Sequence, residues 1–509
     1  MPEKIFRMYN SLTRSTETIE PAQSGHLRFY ACGPTVYSYA HIGNFRSFLT
    51  ADLVLRTAQA IGWKTTYVTN ITDVGHLTED DIADAEGEDR MTKALRSKEG
   101  ERFANIWDLA RYYTNTLLSD WQALNLREPD VRPRATDHVA QQIRDVARLL
   151  EKGHAYETAQ GVYFSVTSFP EYGKLSGNVL SNPLDEGVRD VVQDPEKRDA
   201  RDFALWKKDP GHLMVWHSPW GWGFPGWHIE CSTMAQAYLG ASFDLHTGGE
   251  DNKFPHHECE IAQAECLTGK PFARYWLHTR FLQVEGEKMA KSAGNFFTVR
   301  ELVGSESEGG HGIHPLALRL ALISGQYRKP LNFTFDQLQA SAKHIQRFEE
   351  AIDLAEHGIA RGAPGKNHLA EPLEKLYERA LDAMLDDLNT PEAIAASIEG
   401  AKLILRSGQE LSEGPAQSAK TWLDNINSLL GIVHQETLRE ARQTPEGDAA
   451  ENMFAREVEE LLRQRAEART QRDFERADAL RDQLDEMNVE IMDTPEGTRW
   501  RRKITGSVS

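Results

Sequence analysis

Cysteine is scarce in this 509-residue chain, which has only Cys32, Cys231, Cys259 and Cys266. Four scattered thiols cannot build a disulfide scaffold; in a reducing compartment they read as metal ligands or buried thiols. Long apolar runs are also missing. No stretch approaches the ~20 residues needed to cross a bilayer, and the opening MPEKIFRMYN lacks the apolar segment of a secretory signal. The expectation is a cytoplasmic protein with no membrane contact. Positive charge is in deficit, with 58 Lys+Arg against 77 Asp+Glu and a net charge of −19. That balance argues against nonspecific coating of nucleic acid. From Arg463 onward, however, ten Lys/Arg meet ten Asp/Glu, so this end is neutral and compatible with an RNA-reading module. Internal repeats are absent. What remains, 40% hydrophobic and 27% charged residues, is ordinary globular composition, and the length suggests roughly three domains.

The pattern predicts an α/β chain. Leu27 to Tyr37 (LRFYACGPTVY) reads as a buried strand entering a turn, Asn44 to Gly62 as a helix, and KTTYVTNITDV as the next strand. Such a βαβ unit implies a Rossmann-like parallel sheet with its ligand site at the carboxyl ends of the strands. Residues 118–206, with helical periodicity and then a hairpin-like AYETAQGVYFSV, read as an insertion before the sheet resumes at FDLHTGG. The expected catalytic domain spans 1–330. A helical bundle should fill 331–436, its first helix running through Leu338, Ile345, Phe348, Ile352 and Ala355 to Gly358. A second helix should run from Pro372 to about Leu388, and Thr390-Pro391 should open a third. Residues 437–509 should hold a linker and a small mixed α+β module: helices near Glu457–Arg469 and Phe474–Met487, then a hairpin turning at Pro495-Glu496-Gly497.

Two short motifs suggest a nucleotide site. His41-Ile42-Gly43-Asn44 falls where the first strand passes to the first helix, where unpaired N–H groups and the helix dipole suit a phosphate. Lys288-Met289-Ala290-Lys291-Ser292 sits in a loop at about 285–300, and two lysines three apart can neutralise charge on a leaving pyrophosphate. Either motif alone is better read as ordinary structure; together, both expected at one sheet's carboxyl edge, they are a far stronger sign of a nucleotide site. They resemble the HIGH and KMSKS motifs of class I aminoacyl-tRNA synthetases, with Asn44 in place of the second histidine and Ala290 in place of the first serine. The catalytic and ATP-binding candidates are His41, Gly43, Asn44, Lys288, Lys291 and Ser292.

A metal site is a third possibility. Cys32, Cys231, His256, Cys259 and Glu260 are all acceptable zinc ligands. On a helix, both Cys259 and Glu260 fall within reach of His256, so spacing alone does not choose among them. YACGPTVYSYAHIGN, PGWHIECS, FPHHECEIAQAE and EKMAKSAGNFFTVRELV occur in the order found in cysteinyl-tRNA synthetases, and the resemblance runs nearly end to end. It implies Zn2+ held by Cys32, Cys231, His256 and Glu260, one per subunit, and an amino-acid pocket lined by Thr72, Trp227 and Asp251. Cys259 and Glu250 depart from the family pattern. A zinc site suits this chemistry because thiolate is a good zinc ligand and a serine hydroxyl a poor one, whereas size alone separates the two poorly.

The resemblance further implies Mg2+-ATP, cysteine and tRNA-Cys as substrates, a monomeric enzyme, and RNA contacts at the C-terminal end. There Arg469, Asp478, Asp493 and Trp500 could meet anticodon bases, although helix surface and packing account for them as well. Two rivals carry over: a ligase joining cysteine to an amino sugar on the same core, and a catalytically idle RNA-binding paralogue. The apparent anticodon module opposes the first; intact His41, Lys288 and Lys291 oppose the second.

Overall fold

Parallel strands are buried on both faces and so read as continuous apolar runs. The computed structural model has four such strands, β1 (His26–Ala31), β2 (Lys64–Thr69), β3 (Phe243–Gly249) and β4 (Ala273–Thr279), of which β2 is buried only in its second half. They pair in parallel in the order β4-β3-β1-β2. Phe29, Tyr30, Leu245, Trp276 and Leu277 are among their buried side chains. The structure describes residues 4–75, 77–79, 86–180, 196–289, 294–305, 310–408, 411–435 and, with short gaps, 458–502. Among the described residues no helix is long and apolar enough to cross a membrane.

Helix α1 (Ile42–Ala60) leaves β1 and leads to β2. It is buried on nearly every side, including Arg46, Asp52 and Arg56. Helices α2 (Trp227–Leu239) and α3 (His256–Thr268) flank β3 in sequence and are likewise mostly buried. Because β1 connects onward to β2 on one side while β3 lies on its other side, the chain diverges at the carboxyl ends of β1 and β3. That divergence opens the crevice in which open α/β sheets bind ligands.

The inserted segment forms its own antiparallel sheet, ordered Trp216–Ser218, Gly221–Pro225, Phe203–Lys207, Gly161–Phe164, Ala155–Glu157. The hairpin expected at AYETAQGVYFSV is its last pair. The sheet continues past residue 206 to Pro225, so the tryptophan-rich stretch belongs to it. A third small sheet joins Glu287–Lys288, Leu282–Val284 and Leu331–Phe333.

Four helices follow: α4 (Phe335–Arg361), α5 (Ala370–Leu385), α6 (Thr390–Arg406) and α7 (Glu413–Leu430). Gly358 does not end α4. It is buried where α7 crosses, and a Cβ there would lie 2.7 Å from the Ala416 Cβ; the helix instead stops at Gly362, which has φ +60. Small size, and not helix breaking, explains that glycine. At the C-terminal end, helix Phe474–Glu486 precedes strands Val489–Thr494 and Gly497–Arg502, which pair antiparallel as expected for a hairpin. Val458, Leu461, Leu480, Leu484 and Val489 form a small core of their own. Pro495 and Glu496, the expected turn, lie outside the described residues.

A buried ionic network ties α1 to α7. Asp52 accepts from Arg56 at 2.8 Å and Arg319 at 2.5 Å, and all three side chains are fully buried. The arginines also donate to carbonyls at the α7 C-terminus: Arg56 to Asn427 at 3.0 Å and Arg319 to Leu430 at 2.8 Å. Cations suit that end of a helix dipole. Removing one member strands the others in the core, so Arg319→Met should cost about 3–5 kcal/mol in chemical denaturation. A loss below ~1 kcal/mol would show that water or neighbouring groups replace it.

Candidate active site and metal centre

His41 is the N-cap of α1 and closes a capping box with Asn44. The His41 backbone N–H donates to Asn44 Oδ1 at 3.1 Å, and the Asn44 N–H donates to His41 Nδ1 at 3.1 Å. Accepting at Nδ1 leaves the imidazole proton on Nε2, where it can serve as a donor. The Asn44 side-chain oxygen thus caps the His41 backbone, while its backbone N–H fixes the His41 ring. A Cβ on Gly43 would lie 2.9 Å from His41 Nδ1 and 3.2 Å from Met289 Cε, so the turn and the lysine motif meet over this glycine. Their contact continues downstream: Ile42 N–H donates to Phe297 O at 3.0 Å, His41 bridges to Thr298, and Phe296 sets its ring edge on His41 at 5.2 Å. Lys288 ends the strand Glu287–Lys288 and is exposed; its carbonyl accepts from Asn295 at 3.2 Å. Lys291 and Ser292 lie outside the described residues.

Cys32 follows β1 directly, and its N–H donates to Thr247 O on β3 at 3.1 Å. Cys231 comes from α2, His256 and Glu260 from α3. One ligand atom from each of these four buried residues lies within 4.8 Å of the others. Cys32, His246, His257 and Glu260 form a second such group that shares two members. Cys259 belongs to neither. At 100° per residue it sits 100° around the helix from Glu260, packed in the core of the inserted sheet with its sulfur 3.6 Å from the Tyr172 hydroxyl.

Electrostatics set the cluster up for a cation. Burial, with the hydrogen bond to Cys231, holds the Cys32 thiol well above its ordinary range. The hydrogen bond from Cys32 brings the Cys231 thiol down to about 6 despite burial. Against burial, His246 and His256 hold the Glu260 carboxyl down to about 2, and Glu260 and Cys231 raise His256 to about 10. Two soft sulfurs, an imidazole and a carboxylate are the donor chemistry of zinc, so the residues present fit that ion.

Around the cluster lies a layer of histidines, of which sequence reading met only His257, in the candidate stretch beside His256; His228, His246 and His278 it did not single out. His228 Nδ1 is 2.9 Å from His256 Nδ1, and His246 Nε2 is 3.0 Å from Glu260 Oε2. His257 Nε2 is 3.3 Å from Cys32 Sγ, its Nδ1 is 2.9 Å from His278 Nε2, and His278 reaches Ser11 Oγ at 2.8 Å. Such partners fix the orientation of ligating side chains. The available signal was a histidine inside each of two apolar strands, FDLHTGG and ARYWLHT.

Of the other predicted pocket residues, Trp227 touches this cluster. Trp227, half-buried at the start of α2, stacks on the His256 ring at 4.2 Å. Thr72 is buried; its hydroxyl accepts from Asn70 at 3.0 Å, and its backbone bonds Pro34 and Val36. Asp251 is exposed at the end of β3, and its Oδ1 lies 2.3 Å from where a Gly249 Cβ would stand. Glu250, the departure beside it, pairs with Arg280. Far along the chain, Arg469 and Asp478 are exposed on C-terminal helices. Asp493 and Trp500 lie on the two hairpin strands, opposite Thr498 and Ile491.

Comparison with known proteins bears on this arrangement. Residues 18–343 match the tRNA synthetases class I (C) catalytic domain, 381–434 the DALR domain, and 452–501 the cysteinyl-tRNA ligase anticodon binding domain. The chain is 56% identical over 514 residues to a cysteine–tRNA ligase of Salinibacter ruber, covering 99% of each. It is 41% identical over 500 residues to that of Thermus thermophilus, covering 97% of this chain and 98% of the relative. Among solved structures, an Agrobacterium radiobacter LeuRS in a ternary complex aligns with TM-score 0.59 at 11% identity, over 84% of this chain and 86% of that one. Methionyl-tRNA synthetase of Mycobacterium tuberculosis aligns with TM-score 0.54 at 14% identity, over 80% and 92%. These distant likenesses establish the fold. The close relatives and the matched catalytic region show that the chain is an enzyme of the cysteinyl-tRNA synthetase family, within the class I aminoacyl-tRNA ligases.

Proposed function

We propose that the enzyme activates cysteine with Mg2+-ATP and transfers it to the 3′ end of tRNA-Cys, working as a cytoplasmic monomer. The observation that carries the reading is the buried Cys32–Cys231–His256–Glu260 cluster at the sheet edge that also presents the His41–Asn44 turn. In activation, a cysteine carboxylate oxygen bonds to the α-phosphorus of ATP as the bond to pyrophosphate breaks. A terminal ribose hydroxyl then attacks the cysteinyl carbonyl and AMP leaves.

Cys32, Cys231, His256 and Glu260 would hold the zinc. When bound, zinc supplies a soft Lewis acid that distinguishes a substrate thiolate from a serine hydroxyl. Trp227 stacked on His256 walls the pocket, Thr72 borders it, and Asp251 offers a carboxylate to the substrate ammonium. His41, Gly43 and Asn44 shape the turn that receives phosphate at the helix start. Lys288, Lys291 and Ser292 serve the leaving pyrophosphate. These groups chiefly position reactants and stabilise charge. Arg469, Asp478, Asp493 and Trp500 are the proposed anticodon contacts, within a division of 1–330 for chemistry, 331–436 for the tRNA stem and 437–509 for the anticodon.

Pyrophosphate exchange across a panel of amino acids tests the first step, and charging of tRNA the second. Cysteine should be the amino acid that supports exchange, and tRNA-Cys should be charged. Exchange without charging would favour the amino-sugar ligase. A chain truncated near Gln435 should still form cysteinyl adenylate yet charge tRNA poorly, because the last module carries its own small core. Charging at full efficiency by that truncated chain would show the module misassigned.

A further inference from the structure

The segment that follows the lysine motif is fastened at two points. One is the His41 turn, through the Phe296, Phe297 and Thr298 contacts. The other is an ion pair: Arg300, in the short helix Val299–Val303, places Nε 3.3 Å from Asp120 Oδ1. Asp120 belongs to the helix Ile106–Ala123 and is only 4% exposed. The Arg300 guanidinium also covers the ring of Tyr39, two residues before His41, at 5.8 Å. Tyr39 in turn packs its ring edge-on against Tyr113 at 5.2 Å and meets the Tyr112 hydroxyl at 2.8 Å, both on the helix that bears Asp120. One arginine thus joins the loop before His41, the segment after Lys288 and the helix Ile106–Ala123.

We propose that Arg300 and Asp120 are positioning residues for amino-acid activation, pinning segment 295–300 against the His41 turn so that His41 and Lys288 face one nucleotide. The inference rests on the reading of that turn as the nucleotide site. An ion pair serves this purpose better than apolar packing because its strength depends on direction and charge, and a buried carboxylate holds its partner in one geometry.

The pair carries a pH dependence. Asp120 Oδ2 is buried without a hydrogen-bond partner, and burial raises this carboxyl to about 7 against the pull of Arg300. Above that value Asp120 is anionic and the pair is intact; as the pH falls through it, the carboxyl takes a proton and the charge that holds Arg300 is lost. Neighbouring groups do not substitute. Glu301, beside Arg300, is turned to Thr298 at 2.8 Å; Arg102 lies over the Tyr112 ring at 4.3 Å; Arg319 of the next helix is committed to Asp52. Tyr39 faces Arg300, with Tyr112 and Tyr113 packed behind it.

The test is pyrophosphate exchange by the full-length enzyme from about pH 6 to about pH 8.5, comparing Asp120→Asn, Arg300→Met and Arg300→Lys with the unsubstituted chain. At the upper end, Asp120→Asn and Arg300→Met should lower kcat by roughly tenfold with KM for cysteine within about twofold, the signature of misplaced catalytic groups. Arg300→Lys should recover part of the rate. The unsubstituted enzyme should lose activity as pH falls through about 7, and Asp120→Asn should lack that limb, meeting it near pH 6. A retained limb and rate in Asp120→Asn, or an equal loss in Arg300→Lys with lowered thermal stability, would overturn the proposal alone. Failure of the unsubstituted enzyme to exchange with cysteine would overturn the functional reading and this inference together.

Discussion

Alanine at Lys291 is expected to slow cysteine activation by on the order of 10²–10³, the usual consequence of removing one group that meets developing charge. Its binding of cysteine should be nearly unchanged, because the ammonium matters as pyrophosphate departs and not when the amino acid docks. Single-turnover adenylate formation, read beside equilibrium binding of cysteine, separates the two effects. The geometry supports this assignment from the neighbouring residues. Met289 contacts the point where a Gly43 Cβ would be, and Lys288 is held through its carbonyl by Asn295, so the motif starts at the mouth of the His41 turn. A Lys291→Ala enzyme that activates cysteine at the normal rate would remove this lysine from the mechanism.

Local chemistry made part of this site legible in sequence. A histidine and glycine at a strand-to-helix junction predict a helix start there, and α1 begins at Ile42 behind the His41–Asn44 capping box, with the Ile42 and Asn44 N–H groups taken by Phe297 O and His41 Nδ1. The strand–helix–strand order and spacing predicted the parallel sheet. What sequence could not show depends on juxtaposition across hundreds of residues. His228, His246 and His278 became partners of the metal cluster only when α2, β3 and β4 packed together. Nothing in the sequence marks the i, i+4 pair Asp52 and Arg56 as buried; Arg319 and the end of α7 enclose it. Gly358 resembled a helix stop because nothing in the sequence revealed the crossing of α7.

The choice between Cys259 and Glu260 illustrates the same limit. Spacing put both within reach of His256, and a thiolate is intrinsically the better zinc ligand. Rotation around α3 separates them: Glu260 Oε1 lies 3.1 Å from His256 Nε2 and 3.6 Å from Cys32 Sγ, whereas Cys259 faces Tyr172. A carboxylate also limits the negative charge that three protein thiolates would gather at a centre meant to accept another sulfur.

Zinc content after dialysis, measured by elemental analysis on purified Cys259→Ser and Glu260→Ala enzymes, tests this account most directly. The serine variant should keep one zinc per chain, while the alanine variant should lose zinc affinity, cysteine affinity or both, since second-sphere and ligand changes typically cost at least roughly 10–100-fold. A serine variant that loses its zinc beside an alanine variant that keeps both zinc and normal cysteine binding would contradict the ligand set on which the proposed recognition of cysteine depends.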